Sequence, residues 1–173
     1  VNPIKEIWFN TGKCIDYFLI EENRKPYVEE LVWIQGVTSG VLLFLTNDSP
    51  LKFFYLILSP LVTVLFLRFF SPWLLLMTGK LMNGQATREE LRLVISLSSI
   101  PYLLSLLYML LALIIPGGRD YQHGIIEILI WIFVWRILII GVAKTQRISY
   151  VFALMNIAIP GIILVVLYLI IRY

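Results

Sequence analysis

Long stretches without a single charge constrain this chain more than any other feature. Residues 31 to 47, 93 to 118 and 148 to 171 contain no Asp, Glu, Lys or Arg. At about 1.5 Å per helical residue, runs of this length approach or exceed the ~30 Å hydrocarbon core of a bilayer. Two further apolar runs carry internal charge: 53 to 79 holds Arg68, and about 124 to 143 holds Glu127 and Arg136. The sequence therefore predicts an all-α polytopic bundle of five spans, at about 31–47, 53–79, 93–116, 124–143 and 149–171. Composition agrees, because 60% of the 173 residues are apolar and 14% charged, whereas an ordinary soluble domain has about half and a quarter. A small soluble domain has too much surface to hide that hydrocarbon.

The charges that exist are concentrated at the start: ten of the 25 lie in residues 1 to 30, six acidic and four basic. Residues 1 to 30 thus read as a polar leader and 31 to 173 as the membrane domain. Within the leader, Ile4, Ile7, Trp8, Thr11, Ile15, Phe18 and Leu19 recur at helical spacing, which predicts an amphipathic helix lying in the headgroup region. Trp8 and Tyr17 are its expected anchors, and Gly12 and Pro26 its expected limits. The leader has no continuous apolar core and no small-residue cleavage site, so it does not read as a signal peptide. The leader, second loop (Lys80, Arg88, Arg92) and fourth loop (Lys144, Arg147) carry nine basic residues against three in the first loop, third loop and tail. The positive-inside rule then places the N-terminus in the cytoplasm and the C-terminus outside a cell membrane.

Prolines punctuate the spans. Pro60 and Pro72 fall in the second, which reads as one kinked helix with two re-entrant pieces as the alternative. Pro101 and Pro160 predict kinks in the third and fifth.

From Met77 the order of signals becomes more specific. Thr78-Gly79-Lys80-Leu81-Met82-Asn83-Gly84 precedes a polar segment, Gln85 to Leu91, and then Ser98-Ser99-Ile100-Pro101. The second half contains Trp135-Arg136-Ile137-Leu138-Ile139-Ile140-Gly141-Val142-Ala143-Lys144, Thr145-Gln146-Arg147-Ile148-Ser149-Tyr150, Ala153-Leu154-Met155-Asn156 and Pro160. This pattern, with Ile7-Trp8-Phe9-Asn10 in the leader, resembles the short bacterial branch of the Yip family, five-span membrane proteins named for interaction with Ypt/Rab GTPases. The resemblance implies a fold and no defined activity.

The candidate intramembrane polar site comprises Arg68, Arg136, Asn156 and Glu127. An Arg deep in a span costs at least ~2.5–3.5 kcal/mol on insertion scales unless it is paired or hydrated. Arg68 and Arg136 both fall in the middle or cytoplasmic half of their spans, where they can face one polar site. Three readings stand open: snorkelling or bonding to carbonyls freed by Pro72, a pocket for an anionic lipid headgroup or small anion, and an ion pathway. Glu127 is half a turn out of phase with Arg136, so Glu29, Glu30, Glu89 and Glu90 are the available carboxylate partners. Asn156 is expected to bond between helices. Gly36 and Gly40 form a GxxxG pair that permits close helix approach, within the monomer or in a homodimer. Trp131 and Trp135 share a face of the fourth span and read as packing or lipid contacts. Cys14, the one cysteine, excludes an internal disulfide and reads as unmodified, with acylation as the alternative.

A catalytic reading finds little material. His123 is the single histidine, which excludes a metal site built from several His ligands. No nucleotide-binding loop or nucleophile elbow is present, and the basic bias is that of topology rather than of nucleic-acid binding. The expectation is a non-enzymatic membrane adaptor or organiser of the Yip type without a cofactor, acting through lipid contacts, oligomerisation or recruitment of a protein. A small transporter or channel using Arg68 and Arg136 is the alternative.

Overall fold

The computed structural model describes residues 3 to 24, 26 to 114 and 124 to 172, and every regular element among them is helical. The third loop, with Arg119, Asp120, Gln122 and His123, lies outside the described residues, as do Lys25 and the Arg172 side chain. In chain order the α-helices are α1 Pro3–Phe9, α2 Thr11–Leu19, α3 Pro26–Glu30, α4 Val32–Thr46, α5 Lys52–Leu65, α6 Ser71–Leu81, α7 Arg88–Ser98, α8 Tyr102–Ile114, α9 Ile125–Gln146 and α10 Tyr150–Arg172. Joined end to end, they give four helices long and apolar enough to cross a membrane: Pro26–Thr46, Lys52–Leu81, Arg88–Leu111 and Ile125–Gln146. The last helix, α10, runs 23 residues and is apolar over Tyr150–Ile163.

The boundaries depart from the sequence reading in three places. The first membrane helix begins at Pro26 rather than Leu31, since proline supplies a preset φ and lacks only an N–H that a first turn leaves unbonded anyway. Around Pro101, between α7 and α8, the main chain tightens to i→i−3 bonds, with Ser99 N–H on the Ser96 carbonyl at 3.1 Å and Ile100 N–H on the Leu97 carbonyl at 3.2 Å. Lys52–Leu81 stays one helix rather than two re-entrant pieces, but residues Phe66–Phe70 form a π-helical turn in which the Ser71 N–H bonds the Phe66 carbonyl.

α7 is the inner helix. Every residue from 93 to 101 is buried, and two apolar clusters meet on it. Leu93, Leu97 and Ile100 pack with Ile7, Ile15 and Phe18 of the leader and Ile137 of α9. On the other side, Leu91, Val94 and Ile95 pack with Leu75 of α6, Val142 of α9 and Ala153 of α10. A Cβ at Gly141 would overlap Val94, so this glycine sets the α7–α9 approach.

The leader therefore differs from the expected interfacial helix. It is two helices broken at Asn10, with Gly12 inside α2, and its apolar stripe faces protein. Ile7, Thr11, Cys14, Ile15 and Phe18 are all buried. Trp8 stacks edge-on against Phe133 of α9 at 4.8 Å. Against water, each large side chain so covered contributes roughly 1.5–3 kcal/mol.

The GxxxG face of α4 is also covered within the chain. A Cβ at Gly36 would come within 2.9 Å of Val64, and one at Gly40 within 2.9 Å of Pro60. Ser39 binds both Ser59 at 2.9 Å and Thr63 at 3.0 Å across the seam.

Burial of the leader makes a chemical prediction. Desolvation, reinforced by the Glu6 carboxylate, pushes the Cys14 thiol from 9.0 to about 11. That leaves about one thiol in a thousand ionised at pH 8, and the thiolate is the reactive form. In mild detergent at pH 8, maleimide should leave Cys14 unlabelled in the native protein and label it on denaturation. Labelling of the native chain at the rate of a free thiol would show that the leader does not dock.

Candidate functional site

Arg68 lies in the π-helical turn, next to a defect that Pro72 creates. Proline has no N–H, so the carbonyl four residues earlier, that of Arg68, loses its helical donor. Arg92 of α7 replaces it, its Nε donating to that carbonyl at 2.9 Å, while Arg88 Nη2 donates to the Phe69 carbonyl at 3.1 Å. The Arg92 guanidinium also lies 5.3 Å from the centre of the Phe69 ring. Arg68 itself reaches the start of the first membrane helix, with 3.2 Å to Glu30 Oε1 and 3.8 Å to Glu29 Oε2. A third link, Arg24 to Glu89 at 3.4 Å, joins the end of the leader to α7. Of the four carboxylates at this end, Glu29 and Glu30 take Arg68, Glu89 takes Arg24, and Glu90 closes the cap of α7.

Arg136 does not share this site. Its side chain is exposed, and its Nη1 donates to the Trp8 carbonyl of the leader at 3.3 Å. The expectation of one polar site holding both arginines is thus corrected: among the described residues the two have different partners. The docked leader takes Arg136 through its Trp8 carbonyl, whereas the first membrane helix takes Arg68 through Glu29 and Glu30. Further along α9, Lys144 binds both carboxylate oxygens of Asp16 at 2.6 Å. Glu127 lies in the first turn of α9, half-buried.

Asn156 is fully buried on α10 and pairs with Thr78 of α6, whose hydroxyl also lies 2.9 Å from the Leu74 carbonyl. The Asn156 Nδ2 is buried with no hydrogen-bond partner among the described residues. Pro60 and Pro160 sit inside α5 and α10, and Pro72 begins α6 after the π-helical turn. Pro160 also lines a cavity of about 280 Å³ with Trp131, Trp135, Gln35, Ser98 and Tyr102.

The structure adds a polar element that apolar periodicity does not reveal. Gln146, at the end of α9, is completely buried. Its Nε2 donates to the Leu75 carbonyl at 2.9 Å, and its Oε1 accepts from the Ala86 N–H at 3.4 Å. Its main-chain oxygen accepts from Gln85 N–H at 3.1 Å. A Cβ at either Gly79 or Gly84 would overlap the Gln146 amide, so the two glycines form its seat. Asn83 and Arg147 adopt left-handed φ values of 59° and 56°, which turn the chain sharply on both sides of the amide. Arg147 closes the turn on Gln85 Oε1 at 3.1 Å. The second loop then enters α7 through a capping box in which Thr87 and Glu90 bond each other's main-chain N–H groups. The available sequence signal was that Thr-x-x-Glu spacing.

Chemically, this end of the bundle presents guanidinium and carboxylate groups at fixed positions. Among the described residues, no group of three His, Cys, Asp or Glu side chains could hold a metal ion. Comparison with known proteins gives no match to a family model, a curated protein or a solved structure.

The latch is testable by stability. Gln146→Ala removes two side-chain bonds and leaves a cavity, and should lower stability by roughly 2–4 kcal/mol. Gly84→Val should do comparable damage by displacing the amide. Thermal unfolding in detergent measures both, and a shift for Gln146→Ala no larger than that of an exposed control such as Lys13→Ala would refute the latch.

Proposed function

We propose that this chain is a non-enzymatic, five-span membrane organiser of the Yip type, its N-terminus in the cytoplasm of the cell membrane. Its cytoplasmic end acts as a preassembled surface for recruiting a protein partner, alongside contacts with membrane lipid. The observation that supports this most is the joining of three separate segments into one charged end. The leader is clamped to α9 by Asp16–Lys144 and to α7 by Arg24–Glu89, and the second loop is held to α9 by Gln146. Ion pairs at such exposure contribute little stability, about 0–1 kcal/mol each, but they fix which groups stand beside one another. Lys13 of the leader and Arg88 at the start of α7 both remain exposed on this end. The covered Gly36–Gly40 seam argues that any self-association uses another face.

The test is photo-crosslinking from two positions, Lys13 and Glu89, in cells expressing the full chain. Both probes should capture the same protein. Capture should fall in Asp16→Lys and return in the charge-exchanged pair Asp16→Lys with Lys144→Asp. Capture of unrelated proteins by the two probes, or indifference to Asp16→Lys, would overturn the platform. A chloride flux in reconstituted vesicles that Arg68→Ala abolishes would instead establish a transporter.

A further inference from the structure

Arg68 separates two clefts of opposite character. One is lined by Arg24, Glu29, Glu30 and Arg68 and is internally neutralised. The other, about 430 Å³, has Arg68 and Arg92 at one end and Trp33, Leu61, Leu65 and Phe69 along its walls. No carboxylate lines this second cleft, and no described carboxylate pairs with Arg92. Arg92 has its Nε committed to the Arg68 carbonyl and its ring face to Phe69. That fixes the guanidinium while leaving its terminal N–H donors available. Arg88, one turn earlier on α7, adds a like charge at the spacing where cations repel. An anion placed between them would relieve this repulsion.

The apolar walls identify the kind of anion. Leu65 and Leu61 are exposed, about one and two turns before Arg68 on the same membrane-spanning helix. The cleft thus runs from hydrocarbon depth to a pair of guanidinium groups, the same order of apolar and charged parts that a phospholipid has. We propose that this cleft binds the phosphate of an anionic glycerophospholipid chiefly at Arg92, with Arg68, which Glu29 and Glu30 already hold from the other side, at its edge, and with an acyl chain along Trp33, Leu61 and Leu65. Guanidinium groups recognise phosphate by paired charge-assisted hydrogen bonds. A choline headgroup would place its own cation beside two others, so phosphatidylcholine fits poorly. The proposal deepens the lipid-contact part of the function above. It fails separately from the recruiting platform, whose crosslinks do not depend on the cleft.

The experiment is native mass spectrometry of the full chain in mild detergent, titrated with phosphatidylglycerol, with phosphatidylcholine of the same chain length and with inorganic phosphate. One phosphatidylglycerol should be retained in preference to phosphatidylcholine, and millimolar phosphate should not displace it. Arg92→Gln should weaken retention about fivefold, the worth of one basic residue near an anionic surface. Arg92→Lys should restore part of it. Because Arg92→Gln also removes a bond to the Arg68 carbonyl, Leu65→Trp provides the second variant: it fills the cleft from an exposed apolar position and should abolish retention without unfolding. Equal retention of the two lipids, or wild-type retention in Leu65→Trp, would overturn the proposal. Displacement by phosphate would show a site for a free anion rather than a lipid.

Discussion

The close crossing of α7 and α9 at Val94 and Gly141 is the contact on which the remaining arrangement depends. It places α7 where the leader reaches one side and α6 and α10 reach the other. No lipid-facing side is left between residues 93 and 101. A helix enclosed in this way must supply different partners in different directions, and it does: aliphatic side chains to both clusters, and Arg88 and Arg92 at its start to the π-helical turn beside it. The polar groups at that end are consequently held by carbonyls and carboxylates from three separate parts of the chain.

Apolar matter gives little specificity in such a setting, because lipid covers an Ile or a Phe as well as protein does. The leader shows this. Its stripe of Ile7, Ile15 and Phe18 would be satisfied by the headgroup boundary, so exclusion from water does not by itself select the docked position. Packing at Gly12, whose Cβ would meet the Lys144 stem at 3.3 Å, and the pairs Lys144–Asp16 and Arg136–Trp8 distinguish the two placements. The charged residues of this chain act less as a source of stability than as address labels for segments that hydrocarbon would accept anywhere.

That division explains what could be read from the residues. Helical class and the apolar helices are averages over twenty or so positions, and they survive local irregularity. Arg68 could be assigned a carboxylate partner from the cytoplasmic lip, since Glu29 and Glu30 were among the few available. Its separation from Arg136 could not be read, because the Arg136 partner comes from the docked leader, and amphipathic periodicity does not distinguish lipid from protein as the covering phase. Gln146 was hidden for a related reason: a polar side chain at the end of an apolar helix normally meets water, and its burial follows from two glycines more than sixty residues away in sequence. Thr87 and Glu90, by contrast, form a purely local signature that needs no tertiary knowledge.

The π-helical turn gives the second membrane helix a property that an uninterrupted helix would lack. Pro60 and Thr78 are eighteen residues apart, which in a regular α-helix is five whole turns and puts them in line. Pro60 nevertheless meets Gly40 of α4, whereas Thr78 meets Asn156 of α10. The extra residue in the turn rotates everything after it by about 100° relative to everything before it. One continuous helix thus behaves as two blades set at different pitch on a single shaft, which lets it serve two neighbours without a break in the membrane.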